Sequence, residues 1–540
     1  MLHNLNQKLV LFYCLIFGII FLSACQTPEN SSDKQPASQP NIIFIMSDDH
    51  TTQAFGTYGS RLASLDPTPV LDELSTGGMV FDQAFCHNSI CTPSRANILT
   101  GQYSQTNGVL DLDGVLPIEK QYLPMEMKEL GYQTAIIGKW HLKEEPVKFD
   151  YYEVLPGQGK YFDPEFRKKG EGNWPDNLVS YEGHSSDIIT DRTLDWLENK
   201  RTKDQPFFLM HHYKAPHDDF EFASRYASYL EGTEIPEPAS LYEQPNFGSE
   251  ATMGKNGSLI QRIGTSVSDR HTYRSYVNQY GFESEDEKEA THLAYQEYLK
   301  RYLRCVKGVD DNLGRLFSYL KEKGLWENTV IIYTGDQGFM LGEHDYMDKR
   351  WMYDESMRMP FIVHYPEGIE AGSRSDAIIN NTDYGPTMLE LAGGQVPDYM
   401  QGKSFANVLS GESTEGSQRS TYYRYWMHLM HHDVPAHFGL RTKDYKLIFY
   451  YSLPSDMNSI GKPTMPWMNE SYLIEQTPAA WEFYDLSKDP KEVQNRYDDP
   501  AYLDVIAQLK QELKGKRVAL NETDEDFPHI QEVIEAHWND

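Results

Sequence analysis

Two textures of hydrophobic residue alternate along the chain. Short unbroken apolar runs occur at Asn41–Met46 (Asn-Ile-Ile-Phe-Ile-Met), Thr134–Ile137, Phe207–Met210, Val330–Tyr333 and Phe361–His364. Runs of that length without polar alternation are the pattern of strands buried on both faces. Between them apolar residues recur in steps of three and four, most clearly at Leu299, Tyr302, Leu303, Val306, Val309, Leu313, Leu316 and Leu320, closed by Gly324. This spacing predicts a long amphipathic helix. Buried strands alternating with helices predict an α/β fold, a large mostly parallel sheet sandwiched by helices. The texture changes after Gly411. Ser413–Gln418 is a polar linker, and beyond it come short aromatic-rich alternating runs such as Tyr445–Tyr451. The expected organisation is a large domain over 41–412 and a smaller C-terminal α+β domain with antiparallel strands over 413–540. The polar stretch from Glu221 to Glu287 reads as loops inserted over the sheet edge, where substrate contacts often lie.

One apolar run is of another kind. Lys8, then Leu9–Leu22, then Leu22-Ser23-Ala24-Cys25 gives the basic start, apolar centre and small residues of a secretory signal. Ending on Leu-Ser-Ala-Cys, it resembles a bacterial lipoprotein signal, in which the cysteine is lipidated. The expectation is a signal peptide over 1–24, lipidation at Cys25, and a polar tether rich in Ser, Gln and Pro over 25–40. The protein would then be held by lipid to a membrane of the bacterial cell envelope, at the outer membrane, in the periplasm or on the cell surface. The alternative is a signal anchor kept as a membrane helix, although the run is shorter than the ~20 residues a bilayer asks for.

Charge narrows the function classes. Against 49 Lys and Arg stand 80 Asp and Glu, a net charge of −31 over 540 residues. Such a surface repels nucleic acid, so no nucleic-acid partner is expected. An anionic substrate needs a locally basic pocket set against the global field. Of five cysteines, Cys14 and Cys25 belong to the first segment. Cys86, Cys91 and Cys305 remain, too few for a disulfide framework.

Ligands of open α/β sheets bind beyond the carboxyl ends of the strands. Two apolar runs lead into carboxylates there: Asn41–Met46 into Ser47-Asp48-Asp49-His50, and Val330–Tyr333 into Thr334-Gly335-Asp336-Gln337-Gly338. Three carboxylates and an amide oxygen form a hard, all-oxygen set suited to Ca²⁺ or Mg²⁺ rather than Zn²⁺. Each pair taken alone also reads as turn or helix-cap residues. A third element is Cys86-His87-Asn88-Ser89-Ile90-Cys91-Thr92-Pro93-Ser94-Arg95. Pro93 favours a first helical turn, placing the Cys91 sulfur at the positive end of a helix dipole with Arg95 one turn along. A zinc knuckle from Cys86, His87 and Cys91, or a thiol nucleophile with His141 or His217 as base, are rival readings.

Cys91-Thr92-Pro93-Ser94-Arg95, followed by Leu99-Thr100-Gly101, resembles the signature of the formylglycine-dependent (type I) sulfatases of the alkaline-phosphatase-like superfamily. Asn41–Asp49 looks like that family's first strand and metal-binding pair, Gly138-Lys139-Trp140-His141 and Ala215-Pro216-His217 like two of its loops, and Gly335-Asp336-Gln337-Gly338 like its second metal pair. Asp348-Lys349-Arg350 with Tyr353-Asp354-Glu355 is similar to its distal lysine segment, and Phe483-Tyr484-Asp485-Leu486 with Asp489-Pro490 to its C-terminal signature. The likeness is strongest to bacterial polysaccharide sulfatases. It implies that a formylglycine-generating or sulfatase-maturating enzyme oxidises Cys91 to formylglycine (3-oxoalanine), whose hydrate attacks sulfur. It implies Ca²⁺, in preference to Mg²⁺, on Asp48, Asp49, Asp336, Gln337 and the residue-91 oxygen. Gln337 departs from the Asn or His of many relatives and is one methylene longer than Asn. Arg95 and His141 would orient the nucleophile, Lys139 and Lys349 would hold the sulfate oxygens, and His217 would protonate the leaving alcohol. The implied activity is hydrolysis of sulfate esters on a sulfated oligo- or polysaccharide, such as ulvan, fucoidan, carrageenan or a glycosaminoglycan. Two alternatives remain open on sequence: a phosphodiesterase or phosphonate hydrolase of the same superfamily, and an inactive surface protein that binds sulfated glycan. His50, His211, His212, His344, His431, His432, His437 and Arg441 carry no assigned role.

Overall fold

The computed structural model describes residues 39–242, 244, 246–270, 275–414, 418–457 and 477–540. The expected signal peptide, Cys25, and all but the last two residues of the tether lie outside the described residues. From Pro40 to Asp540 the chain packs as one compact unit.

The apolar runs form the strands they predict, the first four a residue or more longer and the last with the same bounds: β1 (Asn41–Ser47), β3 (Gln133–Lys139), β5 (Phe207–Tyr213), β6 (Thr329–Gly335) and β7 (Phe361–His364). With β2 (Met79–Phe85), β4 (Tyr151–Leu155) and β8 (Ser373–Asn380) they build the large sheet in the order β8-β2-β7-β6-β1-β5-β3-β4. Two short strands, Glu165–Lys168 and Leu178–Ser180, extend its far edge, and Arg358–Met359 adds to β2. The centre is parallel: β1 pairs with β5 and β6, and β3 with β4 and β5. β7 runs antiparallel to both β2 and β6. Alternate side chains of β1 feed opposite faces, Ile42, Phe44 and Met46 into one apolar core and Ile43 and Ile45 into the other. This is why β1 reads as unbroken hydrophobic sequence.

Helix α1 (Cys91–Thr100) starts behind β2, α2 (Ser185–Asp195) precedes β5, and α3 (Glu287–Glu322) precedes β6. Asp286 caps α3, accepting from the Lys288 amide. The eight apolar residues of the predicted stripe are all buried along it. Beyond residue 413 the expected antiparallel strands are present as β9 (Ser420–Tyr425), β10 (His437–Thr442), β11 (Tyr445–Tyr450) and β12 (Ala480–Asp485), paired in that order. Ile506, Leu509 and Leu513 of the helix Leu503–Ala519 and Ile530 and Ile534 of the helix Pro528–His537 close their core. The described residues of the 221–287 insertion form short helical turns and loops. They dock on the segment leading to Lys349 through Val267 N to Asp345 O (3.0 Å) and Met347 N to Thr265 O (3.0 Å). No helix among the described residues is long and apolar enough to cross a membrane.

Candidate active site

The register of β1 on β6 decides where the chemistry lies. Ser47 pairs with Gly335, so Asp48-Asp49 and Asp336-Gln337 leave the sheet side by side at its carboxyl edge. β3 and β5 end at the same level, with Gly138 beside His212, which brings Lys139–His141 and Lys214–His217 to that edge. Gly138 has φ +107°, and a Cβ there would lie 1.9 Å from the His212 carbonyl oxygen; only glycine lets the strands close. The helix α1 points its first residue, Cys91, at the same place. Its first turn is anchored by Ser94 Oγ donating to the Asp336 carbonyl and by Asn381 Nδ2 donating to Ser94 Oγ at 2.9 Å. Asp49, His141, Asp348 and Arg350 all have positive φ (66°, 59°, 75° and 87°), a conformation that costs energy in non-glycine residues and concentrates at functional sites.

Three carboxylates meet three cations here, all buried. Arg95 Nε and Nη2 hold Asp336 Oδ2 at 3.0 and 2.9 Å, and Nη1 donates to the Lys139 carbonyl at 2.8 Å. Lys139 Nζ donates to Asp48 Oδ2 and, at 2.6 Å, to Gln158 Oε1. Lys349 Nζ donates to both oxygens of Asp49 at 2.7 and 2.6 Å. Cys91 Sγ sits among them, 3.1 Å from Asp48 Oδ1, 3.7 Å from Gln337 Nε2 and 4.0 Å from Lys139 Nζ. His217 Nε2 is 3.8 Å from Asp49 Oδ2, and His141 Nδ1 is 3.5 Å from Thr92 Oγ1.

Burial and neighbours set the protonation states. Burial pushes the Cys91 thiol up to about 12, so the side chain is a neutral thiol, unlike an activated nucleophilic cysteine. Burial also works against the Asp336 anion, yet Arg95, Lys139 and Lys349 hold its carboxyl below the usual range. Lys349 is desolvated, but Asp49 keeps its ammonium above the ordinary lysine value. His141 falls well below the ordinary imidazole value through burial, with Lys139 and Arg95 adding to the effect.

Residues 40–394 match the family described as Sulfatase, and residues 342–462 with 469–519 match N-sulphoglucosamine sulphohydrolase, C-terminal. The chain belongs to the sulfatase family. An N-acetylglucosamine-6-O-sulfatase of Bacteroides thetaiotaomicron is 36% identical over 548 residues, covering 95% of this chain and 91% of the relative. An ulvan-active sulfatase of Formosa agariphila is 26% identical over 498 residues, covering 90% and 82%. A solved structure, described as in complex with its substrate D-glucosamine-2-N,6-O-disulfate, superposes with a TM-score of 0.76 at 34% identity, covering 90% of this chain and 99% of that one.

The carboxyl edge of the sheet thus brings together the ten candidate catalytic and metal-binding residues Asp48, Asp49, Cys91, Arg95, Lys139, His141, His217, Asp336, Gln337 and Lys349. Asp48, Asp49 and Asp336 each offer an oxygen within 4.8 Å of the others; Gln337 meets them through its amide nitrogen, which donates to Asp49 Oδ1, while its Oε1 is buried with no hydrogen-bond partner. This donor set fits a hard divalent cation. The zinc knuckle is not formed. His87 instead bridges the Tyr422 carbonyl (2.6 Å) and Thr382 Oγ1 (3.0 Å), and Cys86 contacts Ser89 Oγ at 3.2 Å. His50 bonds Tyr333 OH and stacks on Phe55, His211 bonds Thr193, and His344 stacks on Phe247; these are structural. His212 backs the site, its Nδ1 3.1 Å from the Lys139 carbonyl. His431 and His432 do approach from the second domain, at 3.3 Å from Arg350 Nη2 and 3.6 Å from Asp348 Oδ2. Gln158 and Asp218 escaped the sequence reading. Gln158 sits in a loop of no motif. Asp218 had a signal in its place directly after Ala-Pro-His.

Proposed function

We propose that this sulfatase, a sulfuric ester hydrolase, removes sulfate from a carbohydrate during breakdown of a sulfated oligo- or polysaccharide, with 6-O-sulfated glucosamine as its foremost sugar unit. The relative named for N-acetylglucosamine-6-O-sulfate chemistry and the neighbour solved with a disulfated glucosamine support that sugar. The observation that carries the reading is the seat of Cys91, 3.1 Å from Asp48 at the head of α1, inside a buried cluster of three carboxylates with Arg95, Lys139 and Lys349.

Formylglycine made from Cys91 by a maturating enzyme, with Ca²⁺ on Asp48, Asp49, Asp336, Gln337 and the residue-91 oxygen, would supply an oxygen nucleophile and a Lewis acid. The chain's own side chains do the rest. Lys139 and Lys349 donate to the sulfate oxygens and stabilise the charge that develops on them. Arg95 is fixed by Asp336 and by the Lys139 carbonyl, so it orients residue 91 without moving. His141 is held neutral by burial and the adjacent cations and accepts a proton at Nε2, its Nδ1 facing Thr92. His217 gives a proton from Nε2 to the departing sugar oxygen. Export and lipidation at Cys25 complete the proposal and place the enzyme at the cell envelope, where polymer fragments arrive.

Sulfate release from defined sulfated saccharides, beginning with glucosamine 6-sulfate, tests the activity, set beside an aryl phosphodiester and an aryl phosphonate. A higher kcat/KM on either phosphorus ester would overturn the assignment. Peptide mass analysis around residue 91 reads the oxidation; active enzyme carrying only the thiol would refute it. Cys25→Ala should move the protein from the membrane fraction to the soluble fraction.

A further inference from the structure

We propose that Lys214 is a further catalytic residue: its ammonium donates to the sulfate group of the ester beside Lys139, on the side where the alcohol departs. This deepens the sulfatase reading above and rests on it.

Lys214 is the first residue beyond β5, and the register that sets His212 beside Gly138 delivers it to the same edge as Lys139. Two links hold it there. Its carbonyl accepts from the His217 amide at 3.2 Å, closing the turn Lys214-Ala215-Pro216-His217. Its Nζ lies 4.6 Å from the centre of the Tyr161 ring, and Tyr161 OH in turn donates to the His217 carbonyl. Tyr161 belongs to the same loop as Gln158, whose Oε1 accepts from Lys139 Nζ at 2.6 Å. One loop therefore backs both ammonium groups.

The three cations already described at this edge each have a carboxylate: Arg95 has Asp336, Lys139 has Asp48 and Lys349 has Asp49. Lys214 has none. Only 5% of it is exposed, yet its ammonium makes no hydrogen bond or ion pair with the described residues. An aromatic face is a weak substitute for an acceptor, and a covered charge without one is costly. Lys139 has Asp48, Gln158 and, at 4.0 Å, Cys91 Sγ as acceptors, and Lys349 has both oxygens of Asp49. All three N–H groups of Lys214 are uncommitted.

The charges around it show which way it faces. After burial, Lys214 feels Asp218 and Asp219 most, then Asp49 and Cys91. Lys139 is disfavoured as a cation first by burial and next by Lys214. Two neighbouring ammonium groups with no anion between them mark a place for one, and the anion that arrives there in turnover is the sulfate ester. As the S–O bond breaks, negative charge grows on the oxygens, where donors already in position in a water-poor site act most strongly. Lys214 moves no proton in this role; it lends charge and N–H donors on the His217 side of the group.

Lys214→Met tests this, because Met keeps an apolar stem over Tyr161 and removes the charge. With matured enzyme, kcat/KM is measured on glucosamine 6-sulfate, glucosamine 2-N,6-O-disulfate and 4-nitrophenyl sulfate, and inorganic sulfate is titrated as a competitive inhibitor. kcat/KM should fall ~100-fold on all three esters, the scale of one donor lost from a developing oxyanion. The inhibition constant of sulfate should rise ~10-fold or more, the scale of a hydrogen bond to a charged group. Lys214→Arg, which keeps the charge, should recover ~10-fold of the lost activity. A lysine that only covers Tyr161 predicts none of this: kcat/KM within ~3-fold of wild type, or an unmoved sulfate constant, overturns the inference. So does a loss confined to the disulfate, which would assign Lys214 to a second anionic substituent. If Lys214→Met does not fold, Lys214→Gln is read the same way. Wild type inactive on every sulfate sinks the underlying reading; active wild type with an unaffected Lys214→Met sinks this inference alone.

Discussion

Asp354 ties the site to the second sheet, and its removal has a calculable cost. It stands five residues after Lys349. Arg441 on β10 grips it in a fork, Nε to Oδ1 at 3.0 Å and Nη2 to Oδ2 at 2.8 Å. Lys446 on β11 reaches Oδ1 at 2.8 Å and Glu492 Oε1 at 2.6 Å, and Glu492 Oε2 accepts from the Asp354 amide at 2.7 Å. Asp354 and Glu492 face Arg441 and Lys446 in a place where Lys446 and Glu492 are wholly covered, and burial pushes the Glu492 carboxyl up to about 8. Burial would raise the Asp354 carboxyl, but Arg441 and Lys446 keep it well below the usual range. Asp354→Asn preserves shape and strands one positive charge. Breaking one partner from a buried pair costs ~3–5 kcal/mol. Removing both charges, as in Asp354→Leu with Arg441→Met, should recover most of that loss, leaving a deficit of ~1–2 kcal/mol. Urea unfolding followed by tryptophan fluorescence reads the midpoints. An Asn variant within ~1 kcal/mol of wild type, or a double variant as weak as the single, would refute the argument. Because the Asp354 loop carries Lys349, kcat/KM on sulfate esters should fall in the single variant and partly return in the double.

Three further outcomes are expected. A chelator should lower the Tm, and added Ca²⁺ should restore it, with ~2.7 kcal/mol regained at a hundredfold excess over Kd; Asp336→Asn should abolish the response. His87 is pushed down to about 3 by burial, below the ~6.5 of a free imidazole. Unfolding therefore takes up a proton in acid: the stability present above pH 6.5 is lost progressively toward pH 3, at ~1.4 kcal/mol per pH unit. His87→Gln should flatten the urea-midpoint profile between pH 6.5 and 4.5; a profile with undiminished slope would place the proton elsewhere. Gln158→Leu strips Lys139 of its 2.6 Å acceptor and should reduce kcat/KM for sulfate esters ~10-fold, the scale of one hydrogen bond, with the melting temperature little changed.

The chain announces its strands and the motif residues because both obey local rules. β1 and β6 are unbroken apolar runs, and their carboxylates follow at once, so parallel pairing in register suffices to bring Asp48 and Asp336 together. Other features depend on distant segments meeting. The Asp354–Arg441 fork joins residues 87 positions apart, and the Gln158–Lys139 bond depends on where the β4 loop folds back. The edge strands Glu165–Lys168 and Leu178–Ser180 are four and three residues long, too short for alternation to show them. The antiparallel sense of β7 is invisible in Phe-Ile-Val-His, which reads the same in either direction. His431 and His432 had composition to recommend them but no partner in sequence; Arg350 and Asp348 supply it only in three dimensions.

The pairing of Asp48, Asp49 and Asp336 with Lys139, Lys349 and Arg95 has a consequence for turnover. Three anionic and three cationic side chains sum to zero when all are ionised, so a divalent ion bound among them would add two uncompensated positive charges to that cluster. Free sulfate, a dianion, neutralises that surplus fully, whereas the singly charged ester leaves half of it unmet. The enzyme should hold its product more tightly than its starting material in electrostatic terms, and accumulating inorganic sulfate should throttle the reaction unless it is carried away.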